Sequence, residues 1–170
     1  MSDGQTLYKL IILYMLRKVN FPLTNAQITE FIVDQGYTDY FHVQEAISDL
    51  VTSNLITVET IRNTSQYQAT QEGEQTLEYF CSSISDSIRH DIDVFLSENA
   101  FELRNEVSTI ADYDRTPNGD YAVRCRVKEG NATIIDLTVT VPTEDEAISM
   151  CNHWPIKSQE IYMTVISSLL

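Results

Sequence analysis

The feature that most constrains this chain is a dense series of local structural signals between Thr24 and Phe80. Thr24-Asn25-Ala26-Gln27 has the form of a capping box, in which the threonine oxygen accepts a backbone N–H and the glutamine side chain reaches back to the cap. A helix is therefore predicted to begin at this point. Gly36 provides the left-handed residue that commonly closes a helix, so this first predicted helix ends just before it.

A second helix is predicted to follow from Asp39. Its apolar residues recur at steps of three and four, and they define a buried face: Val43, Ala46, Ile47 and Leu50. The other side exposes a polar set: Tyr40, His42, Gln44, Glu45 and Asp49. Leu55–Ile61 is rich in β-branched residues, and a polar turn at Arg62–Ser65 leads into Gln66–Ala69. Two helices followed by a two-stranded ribbon give the order of a winged helix-turn-helix.

The residues around the ribbon also carry a resemblance to known families. Tyr67, followed by Thr70-Gln71-Glu72-Gly73 at the entry to a further helix, resembles the end of the wing in MarR-like and PadR-like regulators. Thr6–Leu16, the Phe21–Thr24 turn and Leu55-Ile56 are similar to an uncharacterised bacterial winged-helix family, a domain of unknown function. This likeness covers the whole chain, and it implies the fold without implying an established activity.

A helix is also predicted before Thr24, and its apolar side is unusually wide. Leu7, Leu10, Ile11 and Tyr14 mark one face, which is widened by Ile12, Met15, Leu16 and Val19. This width indicates a second contact in addition to the small module itself. The contact is either with a partner subunit or with the C-terminal half of the same chain.

The helical spacing continues beyond the ribbon from Leu77 to Phe95, through the serine-rich segment Ser82–Ser87. We predict a helix break in this segment, with Ser83 or Ser85 as the new cap, rather than one long helix. The prediction therefore has two domains. Residues 1–82 form a winged helix-turn-helix domain, and residues 83–170 form an α+β C-terminal domain.

The C-terminal domain is predicted to contain an antiparallel meander of three strands. The strands run through Val107–Tyr113, Tyr121–Val127 and Ile135–Val141, and they are joined by turns at Asn118-Gly119 and Glu129-Gly130-Asn131. Arg124, Arg126 and Lys128 alternate with apolar residues and form one basic stripe.

Two helices are predicted after the meander. A short one begins at the capping box of Thr143 and ends near Asn152, and a last one begins at Pro155. The predicted fold class is therefore α+β, an N-terminal winged helix-turn-helix followed by a small three-stranded antiparallel sheet with helices on one face.

Charge sets a limit on any nucleic-acid role. The chain has 11 basic and 25 acidic residues and a net charge of −14. No lysine or arginine occurs between Asp39 and Ile61. Because binding driven by counterion release uses several cations, each subunit is expected to bind DNA weakly unless a dimer doubles the contacts.

Enzymatic, metal and membrane roles find little support in the sequence. No glycine is left over for a phosphate-binding loop, and Cys151-Asn152-His153 places a cysteine near a histidine without the surrounding signature of a nucleophilic enzyme. Three scattered cysteines and three histidines show no metal-ligand spacing. We therefore predict no enzyme, no cofactor and no metal. The absence of a signal peptide and of a long apolar span predicts a cytoplasmic protein without a membrane partner.

Two functional hypotheses follow. The first is a homodimeric transcriptional regulator that binds double-stranded DNA through its N-terminal domain, while the C-terminal domain provides dimerisation or ligand sensing. Its candidate DNA-binding residues are Lys18, Tyr40, His42, Gln44, Arg62 and Asn63. The second is an interaction module that keeps the winged-helix shape but holds a protein partner through an acidic, tyrosine-bearing surface. A small-molecule enzyme is a third reading, which would require a deep pocket with converging polar groups.

Overall fold

A computed structural model describes residues 3–130 and 132–170. Within these ranges the chain forms six α-helices and two three-stranded antiparallel sheets, which confirms the predicted mixed α+β class. Packing divides the chain into two compact units. Unit 1 contains the described residues up to Thr60 together with Thr64–Arg104, and unit 2 contains Ile61–Asn63 with the described residues from Asn105 onward.

The elements follow one another along the chain without long irregular segments. Their bounds are α1 (Asp3–Lys18), β1 (Leu23–Thr24), α2 (Asn25–Asp34), α3 (Tyr40–Thr52), β2 (Ile56–Ile61), β3 (Thr64–Ala69), α4 (Gln71–Phe80), a short 3-10 helix (Cys81–Ser83), α5 (Asp86–Ser108), β4 (Thr109–Arg115), β5 (Tyr121–Glu129), β6 (Ala132–Val141) and α6 (Glu144–Leu169).

Helix α1 is the central element of unit 1. Every residue from Leu10 to Leu16 is buried, and α1 packs against α3, α4 and β3. The same core contains Ile84, Ile92 and Leu96, which follow the serine-rich segment. Residues of this chain therefore cover the wide apolar side of α1, so its burial requires no partner subunit.

The predicted capping box at Thr24 is present. Thr24 Oγ1 accepts the backbone N–H of Gln27 at 3.1 Å, and the Thr24 N–H donates to Gln27 Oε1 at 2.9 Å. The ribbon differs from the prediction because it has three strands in the order β1-β3-β2. The added strand pairs Leu23 with Tyr67 and Thr24 with Gln66, and its two residues are too few to show an alternating pattern.

The predicted helix break in the serine-rich segment is confirmed. Helix α4 ends at Phe80, and Ser85 Oγ accepts the N–H of Ile88 at 3.3 Å at the start of α5. The strand predicted through Val107 is wrong at its beginning, because α5 continues to Ser108. Leu96, Leu103 and Val107 are buried at helical steps of seven and four, and this packing extends the helix.

Unit 2 is a sheet in the order β4-β5-β6 with α6 on one face. The predicted meander is confirmed, and its register places Ala111 opposite Cys125 and Cys125 opposite Leu137. The hairpin glycines Gly119 and Gly130 have φ of 89° and 60°. Asn131, the last residue of the second predicted turn, lies outside the described residues.

The two predicted C-terminal helices are a single helix, α6, with Pro155 inside it. A proline in a helix interior costs about 3 kcal/mol because it removes one hydrogen bond and crowds the preceding turn. Here the buried face crosses the proline at steps of four, three and four: Ala147, Cys151, Trp154 and Ser158. Trp154 Nε1 also donates to the Arg126 carbonyl at 3.0 Å, so tertiary contacts on both sides of Pro155 hold the helix together. Neither α6 nor any other helix in the described ranges is long and apolar enough to cross a membrane.

Candidate nucleic-acid interface

Helix α3 presents a well-defined exposed surface. Its predicted core face is buried, and the side directly opposite carries Phe41, Ser48 and Thr52 at steps of seven and four. Phe41 is 79% exposed and Tyr40 is 54% exposed, and their rings meet edge-to-face with centroids 5.7 Å apart. We call Phe41, Ser48 and Thr52 the outer face of α3, and the Tyr40 ring contacts Phe41 at its N-terminal end.

One flank of α3 contacts the beginning of α1. His42 Nδ1 lies 2.9 Å from Asp39 Oδ1, and the His42 ring is 6.3 Å from that of Tyr8. Asp39 caps the helix by accepting the His42 N–H, and this hydrogen bond lowers the pKa of the Asp39 carboxyl. Two further acids on this flank have α1 partners, since Gln5 Nε2 donates to Glu45 at 2.5 Å and Lys9 Nζ lies 2.8 Å from Asp49.

The other flank holds Gln44 in a hydrogen-bond network. Gln44 Nε2 donates to Asn25 Oδ1 at 3.0 Å and to Thr29 Oγ1 at 2.9 Å. In return, Asn25 Nδ2 donates to Gln44 Oε1 at 2.8 Å and to the Tyr67 hydroxyl at 3.3 Å. The network joins α2, α3 and β3. A base contact by Gln44 stays a prediction, and it would have to replace these bonds.

Lys18 belongs to a separate cluster at the end of α1. Its Nζ lies 3.5 Å from Asp93 Oδ1 and 5.2 Å from the centre of the Tyr14 ring. Tyr14 donates to Asp93 at 3.0 Å, and burial followed by this bond raises the Tyr14 pKa. Hydrogen bonding to Tyr14 raises the Lys18 pKa. Lys18 is nine residues beyond Lys9, about 14 Å along the helix axis, so it is not grouped with the α1 residues that contact α3.

The cluster borders a cavity of about 520 Å³ in unit 1. Its lining combines charged, polar and apolar residues: Arg17, Lys18, Val19, Asn20, Phe21, Asp93, Leu96, Ser97 and Ala100. The cavity volume is within the range of small-molecule sites. Two of the charged residues that line the cavity, Lys18 and Asp93, already form an ion pair with each other.

Arg62 and Asn63 form the turn of the ribbon and are grouped with unit 2. Their φ values are 48° and 64°, the two left-handed residues that a tight hairpin turn requires. The Arg62 N–H donates to Asp112 Oδ2 in β4 at 3.4 Å. The turn is therefore hydrogen-bonded to β4. Contact of Arg62 and Asn63 with a DNA backbone stays a prediction.

The basic stripe of β5 is partly neutralised within its own sheet. Arg124 binds Asp136 of β6 through two bonds, from Nε at 3.0 Å and from Nη2 at 2.7 Å. This pairing lowers the pKa of the Asp136 carboxyl, and Arg126 and Lys128 act in the same direction. A carboxylate of the neighbouring strand therefore already neutralises part of the positive charge of this stripe.

The pairing suggested by Cys151-Asn152-His153 does not form. Cys151 is buried against the sheet, and burial raises its pKa. His153 is exposed, and its Nδ1 lies 2.8 Å from the Ser149 carbonyl oxygen. Among residues 3–130 and 132–170, no group of three or more His, Cys, Asp or Glu side chains is arranged to hold a metal ion.

The structure brings together only part of the predicted DNA-binding set. Tyr40, His42 and Gln44 share α3, and Lys18 lies at the end of α1 in the same unit, whereas the Arg62-Asn63 turn is grouped with unit 2. Sequence reasoning missed Phe41, the most exposed large apolar residue of α3. Its helical position, opposite the predicted core face, was the available signal.

The sequence profile of one protein family, described as Domain of unknown function (DUF4364), matches residues 8–169. No curated protein and no solved structure matches the chain.

Proposed function

We propose, for this chain, which belongs to the family described as Domain of unknown function (DUF4364), a role as a dimeric winged-helix transcriptional regulator that contacts double-stranded DNA through α3. The observation that carries the proposal is the order α1-β1-α2-α3-β2-β3 combined with the strand order β1-β3-β2. A winged helix has this order of helices and strands. In a helix-turn-helix, the second helix of the pair enters the major groove, and that helix is α3 here.

The chemistry of the outer face of α3 supports contact with base edges better than strong attachment to phosphates. A phenyl ring such as that of Phe41 can make an apolar contact with a thymine methyl group, and hydroxyl groups such as those of Ser48 and Thr52 can donate to phosphate oxygens. The network of Asn25, Gln44 and Thr29 supports this role indirectly, because it fixes α3 against α2.

The electrostatic attraction of α3 for DNA is expected to be weak. No lysine or arginine lies on α3, so few counterions are released per subunit. We therefore propose that two copies bind together, with their α3 helices about 34 Å apart, the length of one turn of B-DNA. We expect the logarithm of the binding constant to fall only shallowly with the logarithm of the salt concentration.

The proposal is tested by selection from a pool of random DNA duplexes at about 0.05 M salt, followed by binding measurements on the enriched sequence. We expect enrichment of a two-fold symmetric sequence and a loss of affinity of at least about tenfold for Phe41→Ala, a loss equivalent to one good base contact. Gln75→Ala, an exposed change on α4 that leaves the net charge unaltered, is the matched control. Failure to enrich any sequence, or equal binding by Phe41→Ala, would contradict the proposal.

A second candidate function is favoured by the exposed aromatic pair Tyr40 and Phe41 on a helix without cations. Aromatic residues are enriched at the centres of protein interfaces, and the absence of lysine and arginine suits a basic or neutral partner better than a polyanion. Selection of a displayed peptide library on the protein, with Phe41→Ala as the counter-screen, tests this candidate. Peptides that bind both proteins equally would exclude the outer face of α3 as the binding surface.

A further inference from the structure

The C-terminal part of α6 extends beyond the residues that cover it. Ser158 is the last buried residue of the helix, and the eleven helical residues from Gln159 to Leu169 add about 16 Å of length. We call Ile156–Leu170 the α6 tail. Four of its apolar side chains are strongly exposed: Ile156 is 75% exposed, Met163 55%, Leu169 79% and Leu170 101%.

The apolar surface of the α6 tail is wider than one packing contact requires. At about 100° per residue, its eight apolar side chains span an arc of roughly 220°. Lys157, Glu160, Thr164, Ser167 and Ser168 fall in the remaining arc, whereas the buried Ser158 and the exposed Gln159 lie within the apolar arc. A helix that packs on a single neighbour needs an apolar stripe of about 100°, and Ile161 packs on the core of unit 2. A second apolar surface is therefore left on the same segment.

The charge of the α6 tail suits a second copy of this chain as its partner. The chain carries a net charge of −14, yet the tail contains only Lys157 and Glu160, which pair with each other at 3.0 Å. Two acidic copies would repel each other across most surfaces, but two tails can meet without a net charge on either side. Large exposed apolar patches mark interaction sites, and the seven apolar side chains other than Ile161 bury on the order of several hundred Å² per copy, a large part of the roughly 800 Å² per partner of a stable interface.

We propose that the α6 tail packs against the α6 tail of a second copy of this chain, across a two-fold axis. Such an interface is self-complementary, because each copy contributes the same apolar arc. The inference rests on the proposed function for the two-copy form, and it names the surface that joins the copies. It requires no contact with DNA.

Sedimentation equilibrium of the full chain, without DNA, tests the interface. We expect a mass of twice 19.4 kDa at micromolar concentration for the wild type. Met163→Glu, in the apolar arc, should weaken the dimer at least about tenfold, since it buries a carboxylate in each half of the interface. Thr164→Glu adds the same charge on the polar arc and should leave the dimer unchanged. Ile156→Glu provides a second disrupting variant at a more exposed position.

The fluorescence of the single tryptophan reports whether each variant folds, because Trp154 is buried against the sheet next to the tail. A monomeric wild type, or a dimer that persists in both folded Glu variants of the apolar arc, would overturn the inference. DNA binding by the same proteins separates the two proposals. A monomer that binds a selected duplex would overturn the interface alone, and a dimer dependent on the α6 tail that binds no duplex would overturn the proposed function alone.

Discussion

At the scale of single residues, Gly73 shows why the entry to α4 has its particular sequence. A Cβ atom at this position would lie 2.0 Å from the carbonyl oxygen of Leu55 and 3.1 Å from Leu13 Cδ2. The same carbonyl accepts the N–H of Thr70 at 3.0 Å, so it is held in place. Glycine is therefore required by the close approach of two backbone segments.

We expect Gly73→Ala to lower the free energy of unfolding by about 1–3 kcal/mol, because the added methyl group must displace backbone or core atoms. Urea unfolding followed by circular dichroism measures the effect. Gln75→Ala, at an exposed position of the same helix, should change the stability by less than about 0.5 kcal/mol. Equal stability of the Gly73→Ala variant and the wild type would show that the helix can shift without cost.

Tyr37 is expected to make the free energy of unfolding fall at alkaline pH. Its hydroxyl donates to Asp91 Oδ2 at 2.5 Å, and burial followed by this bond raises the Tyr37 pKa above its ordinary value of 10.0. The folded protein therefore holds this proton more tightly than the unfolded chain does. The contribution is fully present below about pH 10 and is lost as the pH rises above that value.

We expect Tyr37→Phe to flatten the dependence of the unfolding free energy on pH between about 9.5 and 11.5. Denaturant titrations at several values of pH in this window measure the slope. Tyr40→Phe, which removes an exposed hydroxyl, serves as the control and should keep the wild-type slope. A wild-type slope in Tyr37→Phe would show that this tyrosine does not cause the alkaline loss.

At the scale of elements, local signals predicted α2, α3 and the ribbon, because caps and short-range spacing determine them. Long-range packing decided the rest. Burial of Val107 extends α5, and the contacts of Trp154 carry α6 through Pro155. The sequence did not predict β1, because its two residues form a strand only through their partners in β3. The buried face of α3 followed from its helical period. The hydrogen bonds of Gln44 could not be predicted in this way, because no local pattern connects Gln44 to Asn25 and Thr29.

The polar network between α2 and α3 should behave as one energetic unit. In a double-mutant cycle of Asn25→Ala and Gln44→Ala, we expect a coupling energy of about 0.5–3 kcal/mol, because each side chain leaves the other partly unpaired when it is removed. The control cycle pairs Asn25→Ala with Glu45→Ala, on the opposite flank of α3, and should be additive. Additivity in both cycles would mean that Gln44 does not position the helix.

At the scale of the whole molecule, the net charge disfavours the DNA binding that is proposed from the order of the elements. The charge of −14 disfavours association with a polyanion, whereas the proposed function requires α3 of unit 1 to contact DNA. In the proposed function, few cations per subunit and binding by two copies reconcile the net charge with contact to DNA. This makes the affinity for DNA sensitive to any cation that is added to α3.

We expect Ser48→Lys, on the outer face of α3, to strengthen binding to a selected duplex and to steepen the salt dependence by about one phosphate contact per subunit. Gln75→Lys on α4 makes the same change in net charge and should alter the salt slope less. Fluorescence anisotropy between about 0.05 and 0.2 M salt measures both slopes. Identical slopes for the two variants would indicate that only net charge matters and that α3 does not face the DNA.

The most direct test of the central claim, that the outer face of α3 contacts DNA, is a hydroxyl-radical footprint on a duplex selected by the wild type. We expect two protected segments about 10 base pairs apart, one for each α3, and the loss of both in Phe41→Ala. An absence of protection, or a footprint that Phe41→Ala leaves unchanged, would contradict it.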